Sequence, residues 1–290
     1  MSLDDLPTLP PLIHAEAKGY AERALAATRE VQSRSHVMID IQYGDDYWQK
    51  LDVYLPGTPA SAPLPCLVFF HGGAWTNGTK EWMGFMAPPL LALPAIFVAA
   101  NYRLAPTVRH PQQLEDCLAA VSWVHRNLAQ IGGDPKRLFV GGHSAGGHLA
   151  ALAALHGPLR ARTGLPANAI RGCLPISGSY DLRNRQAAAG TSARRIYEMV
   201  LARETDDEDA SPIAHVGPSA PPFLLAWGEK DFPHLVQQAA DMTRALADAG
   251  IPVETLEIAD ADHFAASERC GLASATWTSA ALAWLSGTRF

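Results

Sequence analysis

The pentapeptide Gly142-His143-Ser144-Ala145-Gly146 places a serine where an apolar stretch, Arg137 to Gly142, runs directly into a helical pattern, Ala145 to His156. Small residues on both sides permit a strained strand-to-helix turn that leaves the hydroxyl exposed, as an attacking nucleophile requires. The plain alternative is that Ser144 is an ordinary helix N-cap. Upstream, His71-Gly72-Gly73-Ala74-Trp75 follows the apolar run Pro65 to Phe70. Glycines there let backbone N–H groups turn toward a developing oxyanion. The expected donors are the amides of Gly73, Ala74 and Ala145, each typically worth about 10² to 10³ in rate. Without the serine, the same glycines would read as a connecting turn.

A serine nucleophile needs a general base, and in strand–turn–helix serine enzymes the chain order is Ser, then Asp or Glu, then His. The acid is expected just past the apolar run Pro222 to Gly228, within Glu229-Lys230-Asp231. Asp231 is the first choice and Glu229 the second, while Asp260 and Asp262 stand too close to His263 in sequence for the usual geometry. Of eleven histidines, only His234 and His263 follow that acid. His234 lies near the start of a helical pattern. His263, in Asp262-His263-Phe264, falls in a loop between the last strand and the last helix. His263 is the expected base, with Asp231 fixing its tautomer and stabilising the imidazolium. His71, His143 and His148 are expected to shape the loops around the site. No H-E-x-x-H or other ligand spacing calls for a metal, and no cofactor is expected.

Positioning these groups takes a sheet. Pro65 to Phe70 and Ala95 to Ala100 are continuous apolar runs, which read as strands covered on both faces. Pro111 to Ile131 carries apolar residues at helical spacing and stops at Gly132-Gly133-Asp134-Pro135. Strands are expected at Ile170 to Ile176, Pro222 to Gly228 and Val253 to Ile258, with helices over Pro233 to Ala249 and Ala273 to Leu285. Ahead of them, a Pro-rich start with Pro7, Pro10 and Pro11 leads into an amphipathic helix over His14 to Gln32. His36 to Tyr43 and Gln49 to Tyr54 then form a hairpin-like pair. Strands alternating with helices predict an α/β chain with a mostly parallel sheet. From Ser179 to Val216 the rhythm breaks, and this stretch reads as a small helical cap inserted after a strand. Its acidic run, Glu204 to Asp209, reads as a solvated face.

Composition agrees with a compact chain. The 290 residues are 48% hydrophobic and 18% charged, with a net charge of -6 and neither basic excess nor basic stripe, which argues against a nucleic-acid partner. The four cysteines, Cys66, Cys117, Cys173 and Cys270, form no C-x-x-C pair and read as buried, reduced fillers. Met1 to Asp5 shows no basic or apolar leader, and no uncharged apolar run approaches the roughly 18 residues of a membrane span. A cytoplasmic protein with no membrane partner is expected, and a homodimer is compatible with the sequence.

Together these motifs resemble the α/β-hydrolase superfamily, near the hormone-sensitive-lipase-like carboxylesterases and the kynurenine formamidases (arylformamidases), from about Gln49 onward. Asn101-Tyr102-Arg103-Leu104-Ala105-Pro106 is similar to the esterase group. Gly133-Asp134-Pro135 followed by Gly142 to Ala150, with His71 to Trp75, resembles the formamidase group. Ala74 stands where the esterases usually carry a third glycine and the formamidases often an aromatic. The resemblance implies one α/β-hydrolase domain over residues 1–290, with an eight-stranded, mostly parallel sheet flanked by helices. It would carry an N-terminal helical extension at about 12–33 and a cap at about 179–216. It also implies cofactor-free hydrolysis of a small-molecule ester or N-formyl arylamide through an acyl-enzyme. Candidate pocket walls are Trp75, Tyr102, Tyr180 and Tyr197. A retired hydrolase scaffold that binds a small ligand is the alternative, disfavoured because Ser144, Asp231 and His263 are all present.

Overall fold

The computed structural model describes residues 11–12, 14–58 and 60–287. Pro7, Pro10 and the segment Met1 to Asp5, together with Ile13 of the expected extension, lie outside the described residues. Among the described residues there are eight strands: β1 (His36–Gln42), β2 (Lys50–Leu55), β3 (Leu64–Phe70), β4 (Ile96–Ala100), β5 (Gly133–His143), β6 (Ile170–Ile176), β7 (Phe223–Gly228) and β8 (Val253–Ile258). They form one sheet in the order β1-β2-β4-β3-β5-β6-β7-β8. β2 pairs antiparallel with β1 and β4, and every other neighbouring pair is parallel. The helices are α1 (Glu16–Arg34), α2 (Ala87–Leu91), α3 (Gln112–Asn127), α4 (Ala145–Leu155), α5 (Gly157–Arg162), α6 (Ser192–Arg195), α7 (Pro233–Asp248), α8 (His263–Arg269) and α9 (Thr276–Ser286).

The continuous apolar runs have the expected cause. Along β3, Cys66, Val68 and Phe70 face one core layer while Leu67 and Phe69 face the other, all fully buried. Successive side chains alternate faces, so a strand covered on both sides must be apolar throughout. Among the described residues no helix is long and apolar enough to cross a membrane. The four cysteines are buried and unpaired.

Three differences from the sequence reading have local causes. β5 begins at Gly133, four residues before the expected Arg137, because the 3-10 helix Leu128–Ile131 that follows α3 ends at Gly132 (φ +84°), whose carbonyl accepts the Leu64 amide, and Gly133 then pairs with Leu64. α2 and α5 have apolar or Gly-Pro starts too short to show helical periodicity. α8 was expected to be loop, yet Asp262 caps it by accepting the Phe264 and Ala265 amides, so His263 is its first residue.

Candidate active site

The strands position the site because parallel strands end on one edge, where ligands bind in this architecture. Residues after β3, β5, β6, β7 and β8 meet there. Ser144 occupies the turn between β5 and α4 with φ +56°, a left-handed conformation that a bulkier neighbourhood would not tolerate. Gly146 shows why the flanking residues are small: a Cβ there would sit 2.1 Å from the Phe70 carbonyl oxygen. Ser144 Oγ lies 2.9 Å from His263 Nε2, and His263 Nδ1 lies 2.8 Å from Asp231 Oδ1. Glu229, the second choice, is exposed and instead accepts the Asp260 amide at 2.7 Å.

Burial disfavours the Asp231 carboxylate, but hydrogen bonds from His263, Ser177 and the Phe232 amide outweigh it and hold the pKa at about 2. Ser177 is a site residue that sequence reasoning missed. It follows β6 at φ +53° and donates its hydroxyl to Asp231 Oδ2. Its position at the end of an apolar strand was the available signal. His143 was expected only to shape a loop; its Nε2–H donates to the His263 carbonyl at 2.9 Å.

Opposite Ser144 the chain bends through three consecutive positive φ values, at Gly73 (+117°), Ala74 (+51°) and Trp75 (+61°). Among the described residues, the amides of Gly73, Ala74 and Ala145 make no hydrogen bond to protein. Tyr102 supports this loop from behind. Its ring stacks on His71 at 4.4 Å and its hydroxyl donates to the His71 carbonyl at 3.0 Å. It is fully buried and does not reach the cavity, which corrects its expected place as a pocket wall. Tyr180 and Tyr197 are likewise absent from the wall; the Tyr197 hydroxyl donates to the carboxylate of Asp207.

The cavity over Ser144 has a volume of about 480 Å³, within the range for small-molecule sites. Trp75 lines it, held by Nε1–H donation to His148 Nδ1 at 3.0 Å, while His148 Nε2–H donates to the Ala210 carbonyl at 2.7 Å. α1 reaches the same cavity through Ala17 and Tyr20, and Phe232 and Phe264 flank His263. The sequence marked α1 as amphipathic but held no sign of what its apolar face covers.

The acidic run is the expected solvated face only in part: Glu204, Glu208 and Asp209 are exposed. Asp206 and Asp207 are buried, and Asp207 pairs with Arg185 at 2.6 Å. Asp209 pins the β6–β7 segment to the body by accepting from His110 Nε2 at 2.8 Å and His156 Nε2 at 3.2 Å. Asp209, His156 and His215 form the group among the described residues whose ligand atoms approach closely enough for a metal ion. His156 Nδ1 accepts the Leu159 amide, so its proton sits on Nε2 toward Asp209, an arrangement already complete as a hydrogen-bonded pin.

Burial pushes His71 down to about 4 and His143 and His148 down to about 3. Unfolding restores the ordinary value near 6.5, so below that pH the unfolded chain binds more protons than the native one. The stabilisation is therefore full above pH 6.5 and drains as pH falls toward 3 to 4, with a slope of up to about 1.4 kcal/mol per pH unit per histidine. Asp52 opposes them as a single group, raised by burial to about 6 against the pull of Lys80. Urea midpoints should thus fall steeply from pH 6.5 to 4. A midpoint flat over that window would contradict the neutral burial of these rings.

Fold and site together define a protein of the alpha/beta hydrolase kind. The chain belongs to the alpha/beta hydrolase fold family, whose family match covers residues 67–267, within the group of hormone-sensitive-lipase-like carboxylesterases and arylformamidases. It is 34% identical over 236 residues to the esterase LipC of Mycobacterium tuberculosis, a match covering 77% of this chain and 58% of that protein. It is 30% identical over 244 residues to a kynurenine formamidase of Danio rerio, covering 84% and 80%. The chain thus spans little more than half the length of the esterase. In three dimensions it is similar to an esterase of Pyrobaculum calidifontis, with a TM-score of 0.75 at 23% identity over 93% of this chain and 92% of that one.

Proposed function

We propose that the protein is a serine hydrolase that cleaves small carboxylic esters or N-formyl arylamides through an acyl-enzyme. The observation that carries this reading is the run of short contacts from Ser144 Oγ to His263 at 2.9 Å and on to Asp231 at 2.8 Å, beside three amides that have no acceptor among the described residues. His263 Nε2 takes the Ser144 proton as Oγ attacks the carbonyl carbon, and the amides of Gly73, Ala74 and Ala145 receive the oxyanion. His263 then gives that proton to the leaving oxygen or nitrogen, which departs. Water, deprotonated by His263, releases the acid and restores Ser144. Asp231, ionised across the working range, holds Nδ1–H and stabilises the imidazolium. No step asks for a cofactor.

An alkoxide and an arylamine leave by the same path, so the reacting groups do not separate the two substrate classes. The similarities to an esterase and to a kynurenine formamidase support both. Trp75 and the phenylalanines beside His263 suit an aryl group. The deciding measurement is kcat/KM for N-formylkynurenine beside a short-chain aryl ester. Formamide preference by orders of magnitude makes the chain an arylformamidase; ester preference makes it a carboxylesterase. Failure of a fluorophosphonate to label Ser144 overturns the hydrolase reading and favours a ligand-binding scaffold.

A further inference from the structure

Five arginines lie between β6 and β7, and four of them have carboxylate partners. Arg183 pairs with Asp181 at 2.7 Å, Arg185 with Asp207 at 2.6 Å, Arg194 with Glu204 at 2.6 Å and Arg203 with Asp206 at 2.8 Å. Arg195 differs. It lines the cavity over Ser144, it makes no ion pair among the described residues, and its Nε is buried with no hydrogen-bond partner. A guanidinium keeps its charge in any protein setting and presents a planar fork matched to a carboxylate. The other formally charged wall residue, Asp181, is already engaged by Arg183 through Nε at 2.9 Å and a terminal nitrogen at 2.7 Å. Among the described wall residues Arg195 is therefore the one permanent cation, and nothing on the wall neutralises it.

We propose that Arg195 recognises a carboxylate carried on the leaving group of the substrate, so that the preferred substrates are anionic aryl esters or N-formyl arylamides. This rests on the hydrolase reading above. Ser144 and Arg195 line one cavity, so a small acyl group held at Ser144 leaves the aryl portion to meet the wall that Arg195 occupies. A chain of net charge -6 repels anions at long range, so a local unpaired cation is what selects one.

The test compares 4-acetoxyphenyl compounds whose acetate or propanoate side chain ends in a carboxylate with their carboxamide isosteres. In the wild type, kcat/KM for the carboxylates should exceed that for the carboxamides about ten- to hundredfold. Arg195→Gln should bring the ratio to about 1, and Arg195→Lys should keep part of it, because a lysine retains the charge without the fork. The ratio is internal to each preparation, so partial misfolding of a variant does not alter it. A wild-type ratio near 1, or one that survives Arg195→Gln, overturns the proposal. The underlying reading fails separately. If no ester turns over, yet calorimetry finds the matching phenol carboxylates bound more tightly than their amides in an Arg195-dependent way, the anion site stands and the hydrolase falls. Absence of both turnover and binding preference removes both.

Discussion

Ser144→Ala should lower kcat by about 10⁵ to 10⁶ while leaving the fold intact, judged from serine enzymes in which the nucleophile acts as part of a unit. The loss is this large because His263, the oxyanion amides and Asp231 all act on a proton or a charge that exists only once Oγ attacks. The fold should survive because alanine keeps the Cβ already accommodated at φ +56°, and loses only a hydroxyl whose partner is His263. Turnover of a short-chain aryl ester and the thermal unfolding midpoint, measured on the same preparation, check both halves. Activity retained within tenfold of the wild type would remove Ser144 as nucleophile.

Asp231→Asn should lower kcat by about 10⁴. The asparagine amide would donate to His263 Nδ1, place the ring proton on Nε2 and leave no lone pair to receive the Ser144 proton. It would also disturb the other oxygen, which accepts from Ser177 and the Gly228 amide. Glu229→Gln is the control, since Glu229 is exposed and contacts the Asp260 amide rather than His263. That variant should remain close to the wild type. Greater damage from Glu229→Gln than from Asp231→Asn would transfer the acid role to Glu229.

Legibility followed the range of the interactions involved. The turn at Ser144 could be read because its steric demands fall on residues two positions away, and small residues stood there. The parallel strands could be read because burial on both faces leaves an unmixed apolar run. Within the acidic run from Glu204 to Asp209, the buried Asp207 and the pinned Asp209 misled because Arg185, His110 and His156, which pair with them, lie 22 to 99 residues away. Tyr102 misled for a similar reason: an aromatic beside a site motif looks like a wall until the stacking of His71 accounts for it. The cavity-facing side of α1 gave no local sign at all, and Ser177 offered only its place at the end of an apolar strand.

The order of strands and helices, the serine turn and the glycine loop were legible in the residues alone, since each is dictated by sterics and burial within a few positions. Tertiary packing settled the choice between Asp231 and Glu229 as the partner of His263, and which aromatics face the cavity. It alone left Arg195, beside four paired arginines, without a counter-ion among the described residues. Those outcomes depend on where five strand ends converge, across separations as long as the 119 residues between Ser144 and His263, and a chain's local chemistry does not encode that convergence residue by residue.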